Sequence, residues 1–284
     1  MRFRKKESMR TYLFLLFTLI FPCTTVFAQK DSLQSKTKIY QLNYVLDIPI
    51  TITGLVASKY GTDYLRGREP RDMDRISELN PDNIWWFDRG ATKQDPLQAD
   101  KYLQRSNVFM RGAMFLPALM FLDPKVRDIW YDYTLLYLEA QSINASAYLV
   151  GAMPISRLRP FMYNPDESME RKLGRNTTNS FFSGHTSVVA TSTFFVVKVY
   201  FDLHPDAHNR LLWYSLASIP PAITGYCRYK AAKHFPTDIL TGFGVGVLTG
   251  ILVPEWHKSK ANSVCVYPTI SDNILGFYAR ITLR

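Results

Sequence analysis

The chain has 284 residues, 47% of them apolar and 14% aromatic, with 20% charged and a formal net charge of +10. It is more apolar and less charged than most soluble domains, yet a mean hydropathy of −0.10 is low for a chain dominated by membrane spans. Arg2, Arg4, Lys5, Lys6 and Arg10 against Glu7 put +4 of the charge in the first 28 residues; no basic patch with interleaved aromatics follows, so nucleic acid is not an expected partner.

MRFRKKESMR, TYLFLLFTLIFPC and TVFA-Q have the basic, apolar and small-residue parts of an export signal, with cleavage expected after Ala28. Cys23 would leave with it. Cys227 and Cys265 remain and could pair in an oxidising envelope, though two cysteines define no framework. Residues 29–40 read as a polar linker. Apolar segments of helical length then cover 42–58, 107–122, 129–153, 185–203, 210–226 and 237–254. The charged stretch 59–105 interrupts them. Its Trp85-Trp86-Phe87 cluster is expected to pack under the bundle as a lid or support, with a substrate-contacting surface as the second reading. The last residues alternate Phe277, Ala279, Ile281 and Leu283 with polar positions after Asp272-Asn273, which predicts a β-hairpin.

The expected fold is therefore all-α: a helical bundle of about six core helices with a short C-terminal β-hairpin. Its parts are a signal (1–28), an N-terminal helix with charged loops (29–106), a core (107–255) and a tail (256–284). No segment is a clean run of about 20 apolar residues, because Asp47, Arg111, Glu139 and Lys198 interrupt them. A membrane-embedded and a soluble bundle both stay open, and the oligomeric state is unspecified.

Three stretches carry chemistry. In CRYKAAKHFPTDILTG, His234 and Asp238 are four apart and would share a helix face, so that the carboxylate orients the imidazole. Pro236 suits the first turn of that helix, and Arg228 lies six residues before His234. An imidazole with one nitrogen fixed and the other free is a candidate nucleophile. In NSFFSGHTSVVA, Ser183 can cap a helix, Gly184 permits close backbone approach, and the helix start favours an anion. His185 could then protonate a leaving oxygen. In SRLRPFMYNPD, Arg159-Pro160 leaves a guanidinium on a loop, a shape that matches phosphate oxygens. Taken singly, each is as well explained by capping or surface charge. Together they are an inventory for phosphoryl transfer through a phosphohistidine.

The three stretches resemble the signature of the type 2 phosphatidic acid phosphatase (PAP2) superfamily, which includes vanadium haloperoxidases. Its pattern is K-x6-R-P, P-S-G-H and S-R-x5-H-x3-D, and the likeness covers roughly residues 107–255. The resemblance implies His234 as nucleophile, Asp238 as its orienting partner and His185 as general acid. It further implies that Arg159, Arg228, Ser183 and Gly184 hold the phosphoryl oxygens, with no metal and no cofactor. Ala152 stands at the lysine position, Phe182 replaces the proline and Cys227 the serine. Arg157, Lys230 or Lys233 could supply the absent cation, Arg157 first because it shares the Arg159 loop.

The expected function is a cell-envelope phosphatase that acts on phosphomonoesters or diphosphates, lipid-linked in the leading reading, with its active site facing the periplasm. A soluble periplasmic acid phosphatase is the second reading. A catalytically weakened phosphate- or lipid-binding protein is the third, and a vanadium haloperoxidase the least favoured.

Overall fold

Long apolar runs closed by proline, asparagine or aspartate become six long helices in the computed structural model, which describes residues 38–68, 73–259, 263–271 and 274–282. The expected signal, most of the linker and the Asp272-Asn273 turn lie outside the described residues. The helices are α1 (Tyr44–Arg66), α2 (Pro96–Phe115), α3 (Trp130–Ile155), α4 (Gly184–Leu203), α5 (Arg210–Lys230) and α6 (Pro236–His257). Two of them start on proline at the first turn, where a missing N–H costs nothing: Pro96 follows Asp95, whose carboxylate accepts from Leu97 N at 2.9 Å, and Pro236 follows Phe235. The all-α expectation holds for the bundle. Helix α2 starts well before 107, so the boundary drawn between 106 and 107 falls inside it.

Helix α4 is the centre. It packs against α6, α5, α2 and α3, while α1 lies along α3. The α4–α6 contact is close because glycines recur every fourth residue on α6. A Cβ at Gly242 would stand 2.4 Å from the Ser183 carbonyl oxygen, one at Gly246 2.3 Å from that of Ser187, and one at Gly250 2.7 Å from that of Thr191. Only hydrogen fits there. Helix α1 runs in the same direction as α3: Tyr44 meets Tyr131, Gly54 meets Ser142 and Gly61 meets Leu149.

One end of the bundle gathers the C-terminus of α3, the N-terminus of α4, the C-terminus of α5 and the N-terminus of α6. A one-turn 3-10 helix, Pro160–Tyr163, packs there with Leu158, Phe161, Met162, Ala232 and Ile76 in an apolar cluster beneath the connecting loops. The opposite end is closed by Tyr40, Val126, Tyr133, Leu136, Phe195 and Val253. The Trp85-Trp86-Phe87 cluster does not pack under the bundle. Trp86 is 72% exposed, because the neighbouring Asp88 is the residue drawn inward. Cys227 is a buried free thiol. Residues Ser263–Ser271 (β1) and Ile274–Thr282 (β2) form an antiparallel pair, from Ser263↔Thr282 to Ser271↔Ile274, in a unit separate from the bundle.

Many large apolar side chains of the bundle face outward, among them Val45 and Ile52 of α1, Leu211 of α5, and Leu240 and Leu248 of α6. Among the described residues, two helices are long and apolar enough to cross a membrane, Gly184–Leu203 and Pro236–His257.

Candidate active site

A cavity of about 410 Å³ opens at the end where the three motif stretches converge. His185, His234, Arg159, Arg228, Gly184 and Lys233 line it together with residues of α1, α2 and α3. The two histidines thus share one chamber, although they lie 49 positions apart in the chain. Its wall includes Gly184 and His185 in the first turn of α4, where a helix leaves its amides without intrahelical partners.

His234 sits on the short loop between α5 and α6 and is buried. Its Nδ1 lies 2.6 Å from the Ser180 carbonyl oxygen, so Nδ1 carries the hydrogen and donates it. Nε2 is then the bare nitrogen, 3.3 Å from Arg228 Nη2. Burial, and then the positive charges of Arg228 and Arg159, hold the imidazole well below its usual pKa, so it is neutral. On the facing side, His185 Nε2 donates to Asn107 Oδ1 of α2 at 2.8 Å.

Arg159 is fixed at every nitrogen. Nε and Nη2 donate to Asn179 Oδ1 at 3.1 and 3.0 Å, Nη2 also to Asn176 Oδ1 at 3.2 Å, and Nη1 to the Lys233 carbonyl at 3.0 Å. Burial lowers its pKa to about 10, which leaves it charged. Lys233 has its ammonium 4.6 Å from the Phe161 ring centroid and a pKa pushed down to about 6 by burial, then by Arg159. Three polar groups at the wall are buried without a hydrogen-bond partner: both side-chain atoms of Asn144 and Nε of Arg228. Each such atom costs roughly 1–3 kcal/mol if left unmet, so the chamber suits a polar, anionic occupant.

Three expected placements differ. Asp238 does not touch the His234 ring. His234 precedes the helix, which starts at Pro236, so the four-residue spacing confers no shared face. Asp238 instead turns back from the first turn of α6 to accept from Phe235 N at 2.9 Å and Ser180 Oγ at 2.6 Å. It thereby steadies the segment whose carbonyl holds His234. Arg157 is not at the cavity. Its guanidinium bridges two buried carboxylates, with Nη1 at 2.5 Å from Asp238 Oδ1 and Nη2 at 2.7 Å from Asp88 Oδ2. Ser183 stands at the N-cap of α4, but its hydroxyl meets Thr186 Oγ1 at 2.8 Å and does not line the chamber.

The lysine position is equally clear. Ala152 is buried in an apolar cluster with Leu65 and Leu149, and the cations added to the two motif arginines are Lys233 and Arg66. Sequence reasoning missed Arg66, Asn107, Asn144 and Asn179. Each is a lone polar residue with no local spacing to mark it.

Residues 133–261 match the family model of the PAP2 superfamily. A crystal structure titled as the first transmembrane PAP2-type phosphatidylglycerolphosphate phosphatase from Bacillus subtilis is similar at 18% identity and a TM-score of 0.45, over 75% of this chain and 96% of that one. No curated protein matches the sequence.

Proposed function

We infer that this chain, a member of the PAP2 superfamily through residues 133–261, is a PAP2-type phosphatase that hydrolyses lipid-linked phosphate esters by way of a phosphohistidine. The observation that carries the reading is the bare Nε2 of a neutral His234, aimed into a chamber of cations with a second imidazole on its wall.

The reaction divides into two displacements. The Nε2 lone pair of His234 attacks phosphorus, the ester P–O bond breaks, and the departing oxygen takes a proton from His185 in its imidazolium form, which is left as the neutral imidazole. Water, deprotonated by His185, then attacks phosphorus, the P–N bond breaks and phosphate leaves. Arg159, Arg228 and the amides at the start of α4 neutralise the equatorial oxygens, and Lys233 joins them once the bound anion favours its protonated form. Asp238 and Arg157 act as positioning residues behind the wall. Ser183 holds the α4 start through Thr186.

Membrane association is supported by the outward apolar side chains and by two aromatic levels. Trp85 and Trp86 lie at the cavity end, and Trp130, Trp213 and Trp256 at the other. The 22 residues of α6 between these levels rise about 33 Å, close to the ~30 Å of a bilayer core.

We place the cavity on the periplasmic side. Because α1 parallels α3 along its length, a spanning bundle with its cavity outside requires Asn43 inside. A start cleaved after Ala28 requires the bundle to sit on the outer surface instead. In spheroplasts, a Lys93→Cys variant should react with an impermeant maleimide; protection until lysis would reverse the orientation.

The activity test uses purified full-length protein in detergent with phosphatidate, phosphatidylglycerol phosphate, an isoprenyl diphosphate and an aryl phosphate. Phosphate release from the lipids is expected, with an acid-labile phosphoenzyme, and His234→Ala should abolish both. Turnover that persists in this variant would remove His234 from the reaction.

A further inference from the structure

At the end of the bundle opposite the cavity, three side chains from three helices converge. Asp47 comes from the first turn of α1, Glu139 from the middle of α3 and His257 from the last turn of α6. From Asp238 to His257 the rise along α6 is about 28 Å, so the cluster belongs to no part of the catalytic chamber. The sequence reading expected no metal site, since these residues share no motif.

The donor atoms have the geometry of a coordination site. His257 Nδ1 lies 2.9 Å from the Val253 carbonyl oxygen and donates to it, which turns Nε2 inward. Nε2 lies 3.5 Å from Asp47 Oδ2 and 3.5 Å from Glu139 Oε2, and all three donors fall within 4.8 Å of one another. Those separations exceed a good hydrogen bond. The two from His257 match donors that each sit about 2.1 Å from one tetrahedral ion, which stand about 3.4 Å apart. Glu139 is 5% exposed, and its Oε2 has no hydrogen-bond partner although it is aimed into the cluster. Asp47 Oδ2 also accepts from Asn43 N at 2.7 Å, which holds it in place. A metal-bound imidazole ordinarily has its other nitrogen donating to a carbonyl or carboxylate, as His257 does.

Charge points the same way. Two carboxylates, a neutral imidazole and a divalent ion sum to zero.

We propose that Asp47, Glu139 and His257 bind a divalent transition-metal ion of the zinc type, which ties α1 to α3 and α6. One imidazole with two carboxylates favours such an ion over magnesium, and three protein donors leave a fourth position for water. The ion's work is structural: it fastens the first helix to the two that carry the chamber.

The test uses the full-length, tag-free protein in detergent, stripped with chelator and titrated with Zn²⁺ alone. Binding of about one ion per chain, with a raised unfolding temperature, is expected. Glu139→Gln and His257→Gln should each lose the ion, whereas Asp123→Asn, at the separate His204–Asp123 pair, should keep it. Should the cluster variants fail to fold, Co²⁺ bound to the wild-type chain supplies the second readout, an intense visible absorption of a tetrahedral site with nitrogen and oxygen donors. Folded wild-type protein that takes up no Zn²⁺, or unchanged uptake in Glu139→Gln and His257→Gln, or a Co²⁺ spectrum of octahedral type, would overturn the proposal.

Discussion

Replacing Arg157 by methionine separates two roles for that residue. As a phosphate ligand it would matter for anion binding and little for folding. In the structure its guanidinium bridges Asp88 and Asp238, whose side chains are 2% and 0% exposed. Breaking a buried ion pair by removing one partner costs about 3–5 kcal/mol. The two carboxylates keep other donors, namely Thr237 N and Oγ1 for Asp88 and Phe235 N and Ser180 Oγ for Asp238. The guanidinium is itself 28% exposed, so the lower end of that range, about 3 kcal/mol, applies. For a domain of this size such a loss lowers Tm by about 6–12 °C. Asp238 steadies Ser180, whose carbonyl fixes His234, so kcat should drop too, by up to about 10²-fold if the ring shifts by an ångström. The inhibition constant of sulfate, a non-reacting dianion, should scarcely change. Thermal unfolding by tryptophan fluorescence and steady-state kinetics measure all three. An unchanged Tm with sulfate inhibition lost would refute the positioning role and restore Arg157 as a ligand of the anion.

Two further variants probe the chamber and the packing around it. Lys233, with a pKa pushed down to about 6, is neutral at pH 7 and gains its charge as the pH falls through that value. Sulfate should therefore inhibit more tightly below about pH 6, and Lys233→Met should flatten that dependence; equal slopes in the two proteins would show that another group titrates. On α6, Gly246→Ala drives a methyl to 2.3 Å from the Ser187 carbonyl oxygen and should cost about 1–3 kcal/mol. Gly244→Ala meets nothing within 4 Å and should be tolerated. Equal unfolding temperatures for these two variants would contradict the close α4–α6 contact.

The bundle was legible because each apolar run ends in residues whose local physics is decisive, such as Asp95-Pro96 before α2 and Phe235-Pro236 before α6. The start of α2 escaped because QADKYLQR mixes polar residues into the first turns, and a polar face hides the helical period. His185, His234, Arg159 and Arg228 were legible because spacing within a short stretch marks them. What spacing cannot give is the partner across space. It suggested that Asp238 holds His234, but a rule for residues four apart applies only inside a helix, and His234 stands outside one. It put Arg157 with Arg159 because they share a loop, while Asp88, far earlier in the chain, decides where that guanidinium goes. Asp47, Glu139 and His257 escaped for the same reason.

The arrangement of charge explains why the chamber needs its ligand. Asp88 and Asp238 lie behind the wall and are bridged by Arg157. Arg66, Arg159, Arg228 and Lys233 face the cavity, and among the described residues none of them makes an ion pair. Burial of Arg159 and Lys233 costs free energy, which is visible in their lowered pKa values. A dianionic phosphoryl group in the chamber would offset the charge of Arg159 and Arg228 and offer an acceptor to the unpartnered Arg228 Nε. Affinity for the phosphoryl group itself is therefore indifferent to the rest of the substrate. Discrimination between substrates has to come from the side of the chamber built by Ser58 and Thr62 of α1 and Asn144 and Tyr148 of α3. Asn144→Leu should consequently alter the ranking among phosphate esters more than it alters sulfate inhibition, and an unchanged ranking would locate specificity outside the chamber.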